Sequence, residues 1–214
     1  HPCRWKYYLM EEKRHGKYFP VIEDEKGTFI FNSKDLCMIE YLPKLINAGI
    51  KSFKIEGRVK SSYYVATVIR SYRMAIDEYF KNPKEYIFKE EWINEIRKAS
   101  HRDFTTGFYF GKPTEKDQVY TSSSYIRDYE YVGLILDYDK ENNIATIEQR
   151  NRMFVGDKIE VFGPNKEYFT QTIKKMWNED GNEIEVAPHP QQIVKMKMEK
   201  RVECWDIIRK EMGD

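Results

Sequence analysis

Ser52-Phe-Lys-Ile-Glu-Gly-Arg-Val-Lys-Ser-Ser-Tyr-Tyr64 is the stretch whose reading decides the fold. Phe53 to Ile55 reads as a short buried strand that ends in a charged corner and runs into a helix. Glu56, Arg58 and Lys60 crowd the strand's carboxyl end, and Gly57 lets the backbone turn there without a Cβ clash. Asp35 to Asn47 predicts a helix, with Leu36, Ile39, Leu42, Leu45 and Ile46 at helical spacing and Ser33 as its cap. Ala48-Gly49-Ile50 stops that helix, because glycine just past a helix end is the favoured cap. Helix, glycine turn, strand, charged corner and helix is the order found at the end of a βαβα series. In such folds, charges at the carboxyl end of a strand lie where active sites are built.

Outward from this corner, Tyr63 to Phe80 predicts a strong helix. Val65, Val68, Ile69, Tyr72, Ala75, Ile76 and Tyr79 recur at three and four to make one apolar stripe. Lys81-Asn-Pro83 ends it. A further helix is expected over Lys89 to Ser100, with Trp92, Ile93, Ile96 and Ala99 on one face. Residues 4 to 31 read as a β ribbon, with turns at His15-Gly16 and Asp24-Glu-Lys-Gly27. Arg102-Asp-Phe-Thr-Thr-Gly-Phe-Tyr-Phe-Gly111 is aromatic and glycine-rich, and reads as an ordered connector.

From Tyr131 the period changes to two. Val132 to Leu136, Ile144 to Glu148, Lys158 to Phe162, Tyr168 to Lys174, Glu183 to Val186 and Ile193 to Met198 predict short strands. Asp139 to Asn143, Gly163-Pro-Asn165 and Asp180-Gly181 are the turns between them. Short strands at this spacing predict a small barrel or sandwich, closed or nearly closed over residues 131 to about 200.

The 214 residues can hold one large or two modest domains, and 41% hydrophobic content with 15% aromatic content is enough for a packed core. The net charge of +1 gives no global electrostatic case for nucleic acid. The 33% of charged residues carry both signs interspersed, as on a solvated surface. No apolar run approaches the roughly 20 residues that span a bilayer, and no secretory signal pattern stands at the amino end. Three sparse cysteines, Cys3, Cys37 and Cys204, favour a reducing compartment, read as the cytoplasm.

Asn32-Ser-Lys-Asp-Leu-Cys37, Ala48-Gly-Ile-Lys-Ser-Phe-Lys-Ile-Glu-Gly-Arg58 and Ser61-Ser-Tyr-Tyr-Val65 resemble the collagenase-like peptidase family, whose peptidase mechanism is unassigned. Pro2-Cys-Arg-Trp5 and Val155-Gly-Asp-Lys-Ile-Glu160 fit the same family. The resemblance implies the carboxyl-terminal part of a longer protein, and the opening His-Pro-Cys in place of Met agrees with that expectation. The fold class implied is an α+β fragment. The last helix, strand and helix of a (β/α)8-type barrel carry an inserted β ribbon and are followed by a small β-barrel resembling the second domain of translation elongation factors. A whole barrel of that type takes about 250 residues. The expected division is residues 1–82 for the barrel end with its ribbon, 83–130 for a helical and aromatic connector, and 131–214 for the small β-barrel.

Glu56 and Arg58 lead the candidate residues. As catalytic groups, Glu56 could serve as a general base or metal ligand, and Arg58 could grip a carboxylate or phosphate with two prongs. The structural alternative is a salt bridge between them that locks the closing strand. Lys54, Lys60, Ser61, Tyr63 and Tyr64 are the candidate substrate contacts, because Lys60 and Ser61 open a helix where such barrels hold anions. Basic and aromatic residues also interleave in Arg4-Trp-Lys-Tyr-Tyr8 and Lys60-Ser-Ser-Tyr-Tyr64, a pattern that can stack bases while cations meet phosphates. Cys3 and Cys37 are the candidate metal ligands. The resemblance implies an iron–sulfur cluster, or a divalent metal, completed by residues upstream. Their spacing alone makes no metal motif, and buried thiols are the alternative. His1, His15, His101 and His189 stand near no nucleophile triad pattern, and the phosphate-loop and Gly-x-Ser-x-Gly motifs are absent.

Two functions follow. The family name implies peptide hydrolysis on collagen-like substrates, and this is the leading expectation. The alternative is hydroxylation of a tRNA uridine or an rRNA cytidine with an iron–sulfur cluster, the β-barrel serving as an RNA- or protein-binding module. The isolated fragment is expected to be inactive, no membrane partner is expected, and assembly as a homo- or hetero-oligomer stays open.

Overall fold

The apolar stripe that follows the charged corner forms a helix of 20 residues, Ser62–Lys81, in the computed structural model of the chain. The structure describes residues 8–10, 15–16, 18–24, 27–29, 33–114, 117, 125–164 and 166–213. The chain divides into two compact units, 1–41 with 101–126 and 42–100 with 127–214.

In the first unit β1 (Tyr8–Leu9) pairs antiparallel with β2 (Phe19–Pro20), and β3 (Ile22–Asp24) pairs antiparallel with β4 (Gly27–Phe29). The hairpin expected at Asp24 to Gly27 therefore forms. Trp5 and Tyr7 of the expected ribbon lie outside the described residues. β5 (Asp35–Leu36) pairs in parallel with β6 (Phe104–Thr105). This corrects the helix predicted from Asp35 onward. Ile39–Tyr41 is a single 3-10 turn and α1 covers only Leu42–Asn47, so Ser33 caps no helix. Pro43 supplies the physical reason. It lacks an N–H and its ring clashes with the carbonyl four residues back, so it fits the first turn of a helix and not the interior.

In the second unit α1 ends as the sequence predicts. Gly49 sits at φ +87°, its N–H donates to Ile46 O at 2.9 Å, and the Ile50 N–H donates to Leu45 O at 3.3 Å. Those paired bonds satisfy two end carbonyls of the helix. α2 (Ser62–Lys81) starts on Ser61, whose Oγ accepts from the Tyr64 N–H at 3.2 Å. α3 (Glu90–Arg97) buries Trp92, Glu95 and Ile96. Between α1 and α2, residues 51–57 have no regular secondary structure, so the strand expected at Phe53–Ile55 is not formed. Phe53 and Ile55 are half-buried while Lys54 and Glu56 are exposed, so a strand's alternation persists without its ladder. Backbone groups of a strand need a neighbour's N–H and C=O, and no described segment pairs with this one.

The β region comprises β7 (Tyr129–Asp139), β8 (Ile144–Gln149), β9 (Met153–Phe154), β10 (Lys158–Phe162), β11 (Phe169–Thr172), β12 (Met176–Asn178), β13 (Glu183–Ile184), β14 (Val186–Ala187), β15 (Ile193–Lys197) and β16 (Ile207–Glu211). Eight of these form one sheet in the order β11-β10-β16-β7-β8-β15-β12-β13, with β9 and β14 paired beside it. Every pairing in that sheet is antiparallel. It curls around Val132, Ile135, Ile147, Ile159, Met176 and Val194, all fully buried. The sheet is a half-barrel where a closed or nearly closed barrel was expected. β13 offers only two residues of edge, and among the described residues it is not bonded to β11. α2 meets this sheet through Tyr63, which is buried with Phe162 and Ile207 and packed by Tyr131 and Leu134.

Candidate functional site

The charged corner is a turn stitched by its own side chains. Glu56 Oε1 accepts from the Arg58 backbone N–H at 2.7 Å, and the Lys60 N–H donates to Gly57 O at 2.9 Å. A Cβ on Gly57 would lie 3.0 Å from Val65 Cγ2, so any larger residue there would push the Val65 side chain by a few tenths of an ångström. Lys54, Glu56 and Arg58 are exposed, and Lys60 is half-buried. Lys60 Nζ donates to Ser100 O at 3.2 Å and lies 4.9 Å above the Tyr64 ring. The corner thus gathers one carboxylate and three cations ahead of a long helix, which favours anionic ligands. Among the described residues, the ion pair between Glu56 and Arg58 side chains is not made; the carboxylate is spent on a backbone N–H.

Ser61 and Tyr64 stand at the helix start as expected. Tyr63 is placed differently from its neighbours. Its ring is buried and stacked on Tyr131 at 5.7 Å, and its hydroxyl donates to Lys98 O at 2.8 Å. Burial pushes this phenol up to about 12, although the adjacent Arg209 guanidinium works the other way. Its location suits positioning α2 on the sheet. Cys3 lies outside the described residues, and Cys37 is half-buried with its N–H donated to Thr105 O at 3.0 Å. Among the described residues no group of three or more His, Cys, Asp or Glu side chains could hold a metal. A cluster is held by about four thiolates, and Cys37 could supply one of them. His101 is buried and stacked on Phe104, and His189 is exposed.

Sequence reasoning missed a buried ionic junction that locks α2 and α3 onto the sheet. Arg209 has a fully buried side chain. Its Nη2 donates to both Glu95 oxygens at 2.9 Å, and its Nε donates to Glu160 Oε2 at 2.8 Å. Lys98 Nζ reaches Glu95 and Glu160 at 3.0 Å each. Arg70 donates to Gly163 O at 2.9 Å and Lys166 O at 2.6 Å, and lies 3.5 Å from Glu95. Phe162 and Tyr129 flank the Arg209 guanidinium at 4.7 and 5.3 Å. Burial would raise the Glu95 pKa, but Arg209 and Lys98 outweigh it and hold the carboxyl below its ordinary value. A signal was available for Arg209, which stands two residues after Ile207 and so on the same face of a strand, but Arg70 lies opposite the apolar stripe of α2, where helix periodicity assigns it to the surface.

Residues 1–119 match peptidase family U32, and residues 127–209 match the peptidase family U32 C-terminal domain. The chain belongs to peptidase family U32. Among curated relatives it is 41% identical over 208 residues to tRNA hydroxylation protein P1 of Bacillus subtilis (strain 168), covering 97% of this chain and 49% of that protein. It is 32% identical over 185 residues to tRNA hydroxylation protein P of Escherichia coli (strain K12), covering 86% and 40%. A collagenase of Porphyromonas gingivalis is 29% identical over 154 residues, covering 72% and 43%. The chain thus spans about half, or less, of the length of the U32 relatives it matches. Among the described residues no helix is long and apolar enough to cross a membrane.

Proposed function

We propose that this U32 chain is the carboxyl-terminal part of a cytoplasmic protein that hydroxylates a pyrimidine of tRNA. This reverses the order of the two functions expected from sequence, where peptide hydrolysis led. The observation that carries the reading is the 41% identity to a tRNA hydroxylation protein, which runs across 97% of the chain and so includes both the charged corner and the β domain. Peptide hydrolysis draws on a more distant relative, at 29% identity over 72% of the chain.

In this reading residues 51–57 are the closing strand of a (β/α)8-type barrel, and its partners come from the part of the relatives that this chain does not span. Two features support it. The segment keeps a strand's alternation but lacks a ladder. Beside it lies an apolar groove of about 600 Å³ lined by Ile46, Ile50, Phe53, Ile55, Ile69 and Phe80, of which Phe80 is 63% exposed. Apolar surface of that kind is normally covered. Glu56 and Arg58 then stand at the barrel mouth, with Lys54, Lys60, Ser61 and Tyr64 as substrate contacts and Tyr63 as a positioning residue. Arg58 is suited to a phosphate or carboxylate, and Glu56 to accepting a proton or hydrogen bond from the base. The division at residues 82 and 130 belongs to the same reading, with the β domain as a binding module.

Nucleoside mass spectrometry tests this. Cells lacking their own tRNA hydroxylation proteins are given the full-length protein that contains these residues. The expected result is tRNA carrying one added oxygen on a pyrimidine. Unmodified tRNA, together with gelatin cleavage by the same purified protein, would return the assignment to peptide hydrolysis.

A further inference from the structure

The aromatic, glycine-rich segment 102–111 of the first unit carries three consecutive exposed aromatic side chains. Phe108 is 80% exposed, Tyr109 54% and Phe110 53%. They are displayed by a closed strap. Gly107 takes φ +56°, and its N–H donates to Thr105 Oγ1 at 3.1 Å. That hydroxyl donates to Asp117 Oδ1 at 2.6 Å, while Asp117 Oδ2 accepts the Thr114 N–H at 2.8 Å. One carboxylate therefore ties the strap's two ends together. The tip is pinned as well: the Tyr109 N–H donates to Thr106 O at 3.2 Å, and the Phe110 ring packs on Tyr41 at 4.5 Å. Among the described residues no ring stacks on Phe108 or Tyr109. Holding two large rings in water on this loop costs free energy that no contact among the described residues recovers.

The chemistry at the strap favours a nucleobase over a protein surface. Its closing carboxylate, Asp117, is committed to threonine donors, and Asp35 nearby is committed to the Arg102 guanidinium at 3.0 Å. Lys112, directly after the strap, has no carboxylate partner among the described residues. Adjacent rings with an uncompensated cation beside them are what a single-stranded nucleic acid needs: faces for bases and a charge for the phosphate. Closure by Asp117 also removes the ordering cost that a floppy loop would incur on binding.

We propose that Phe108 and Tyr109 form a stacking platform for unpaired nucleobases of an RNA substrate, with Lys112 meeting an adjacent phosphate. This rests on the tRNA reading above and adds the surface by which the RNA is held.

The test measures binding of the intact protein to a labelled tRNA transcript and to a labelled oligouridylate, by fluorescence anisotropy over a salt series. Phe108→Ala with Tyr109→Ala should weaken binding of both probes, by roughly five- to a hundredfold per ring lost, and leave the salt dependence unchanged. Phe108→Trp with Tyr109→Trp should restore it. Lys112→Ala should reduce the slope of log affinity against log salt by about one. All three positions are exposed in this chain, so the unfolding midpoint should match the parent protein, and a lowered midpoint makes the strap a packing surface for the rest of the protein and overturns the platform. Wild-type affinity in the double alanine variant, with tRNA hydroxylation intact, overturns the platform and leaves the tRNA reading standing. Altered self-association or protein binding with unchanged RNA affinity makes the strap a protein contact and also overturns it. Absence of hydroxylation in the wild-type protein refutes the tRNA reading itself.

Discussion

Glu95→Gln should be among the most destabilising single-atom-scale changes available in this chain. The Glu95 carboxylate is shared by three cations: Arg209 at 2.9 Å, Lys98 at 3.0 Å and Arg70 at 3.5 Å. Glu160 is the other carboxylate of the cluster, reached by Arg209 and Lys98. Neutralising Glu95 therefore leaves three cations facing one anion, with Arg209 fully buried and Arg70 only 6% exposed. Removing one partner from a buried ion pair costs about 3–5 kcal/mol, most of it the uncompensated charge left behind. For a chain of this size that is a fall in Tm of roughly 6–20 °C. Urea unfolding at pH 7, followed by the emission of buried Trp92 in α3 and by far-ultraviolet circular dichroism, measures it. The pH dependence adds a second readout. Because the folded pKa of Glu95 lies below its ordinary value, its contribution is complete above about pH 4.3 and is lost as the pH falls through the folded pKa. The gap between the two proteins should hold constant from pH 5 to 8 and narrow below pH 4. A gap under about 1 kcal/mol at pH 7, or one that widens in acid, would refute the idea that this junction holds the helices on the sheet.

Glu56→Gln and Arg58→Ala should each lower tRNA hydroxylation by the full-length protein at least tenfold while changing stability by no more than about 0.5 kcal/mol, since both side chains are exposed; falling unfolding midpoints with unchanged activity per folded molecule would make the corner structural. Gly49→Ala should cost about 1–2 kcal/mol, because a Cβ is strained at φ +87°, and a shift in the urea midpoint at constant slope reads it. Tyr63 and Tyr86, both pushed up to about 12 by burial, should remain unionised in ultraviolet titration past pH 10.5, and Tyr63→Phe should reduce that late-titrating signal by one phenol and cost about 1 kcal/mol of stability.

Much of the fold is local, and the local part was legible. The stripe from Val65 to Tyr79 makes α2, Ser61 caps it, and Gly49 ends α1 with the bonds its position predicts. Period two after Tyr131 marks β7, β8, β10, β11 and β15, because side-chain alternation on a half-buried strand is written residue by residue. Met153–Phe154, Met176–Asn178 and Ile207–Glu211 escaped that reading, the first two being too short to show a period. The candidate corner was legible as a cluster of residue types, but not its internal bonding: Glu56 turns to a backbone N–H two residues on, where a side-chain pair with Arg58 was the alternative.

What the tertiary structure decided is everything that needs a distant partner. Asp35 and Leu36 leave the helical pattern for a parallel pairing with Phe104 and Thr105, far away in sequence. Residues 51–57 have the alternation of a strand and remain without a ladder, since strand formation depends on a neighbour's hydrogen bonds as well as on the segment's own side chains. Glu95, Glu160 and Arg209 come from a helix and two strands, and only their convergence makes burying charge tolerable. The sequence by itself determined α2 and its cap, the end of α1 and the longer strands after Tyr131, because capping, periodicity and glycine conformation act within a few residues. Pairing and charge burial depend on groups brought together by the fold, so they became readable only in three dimensions.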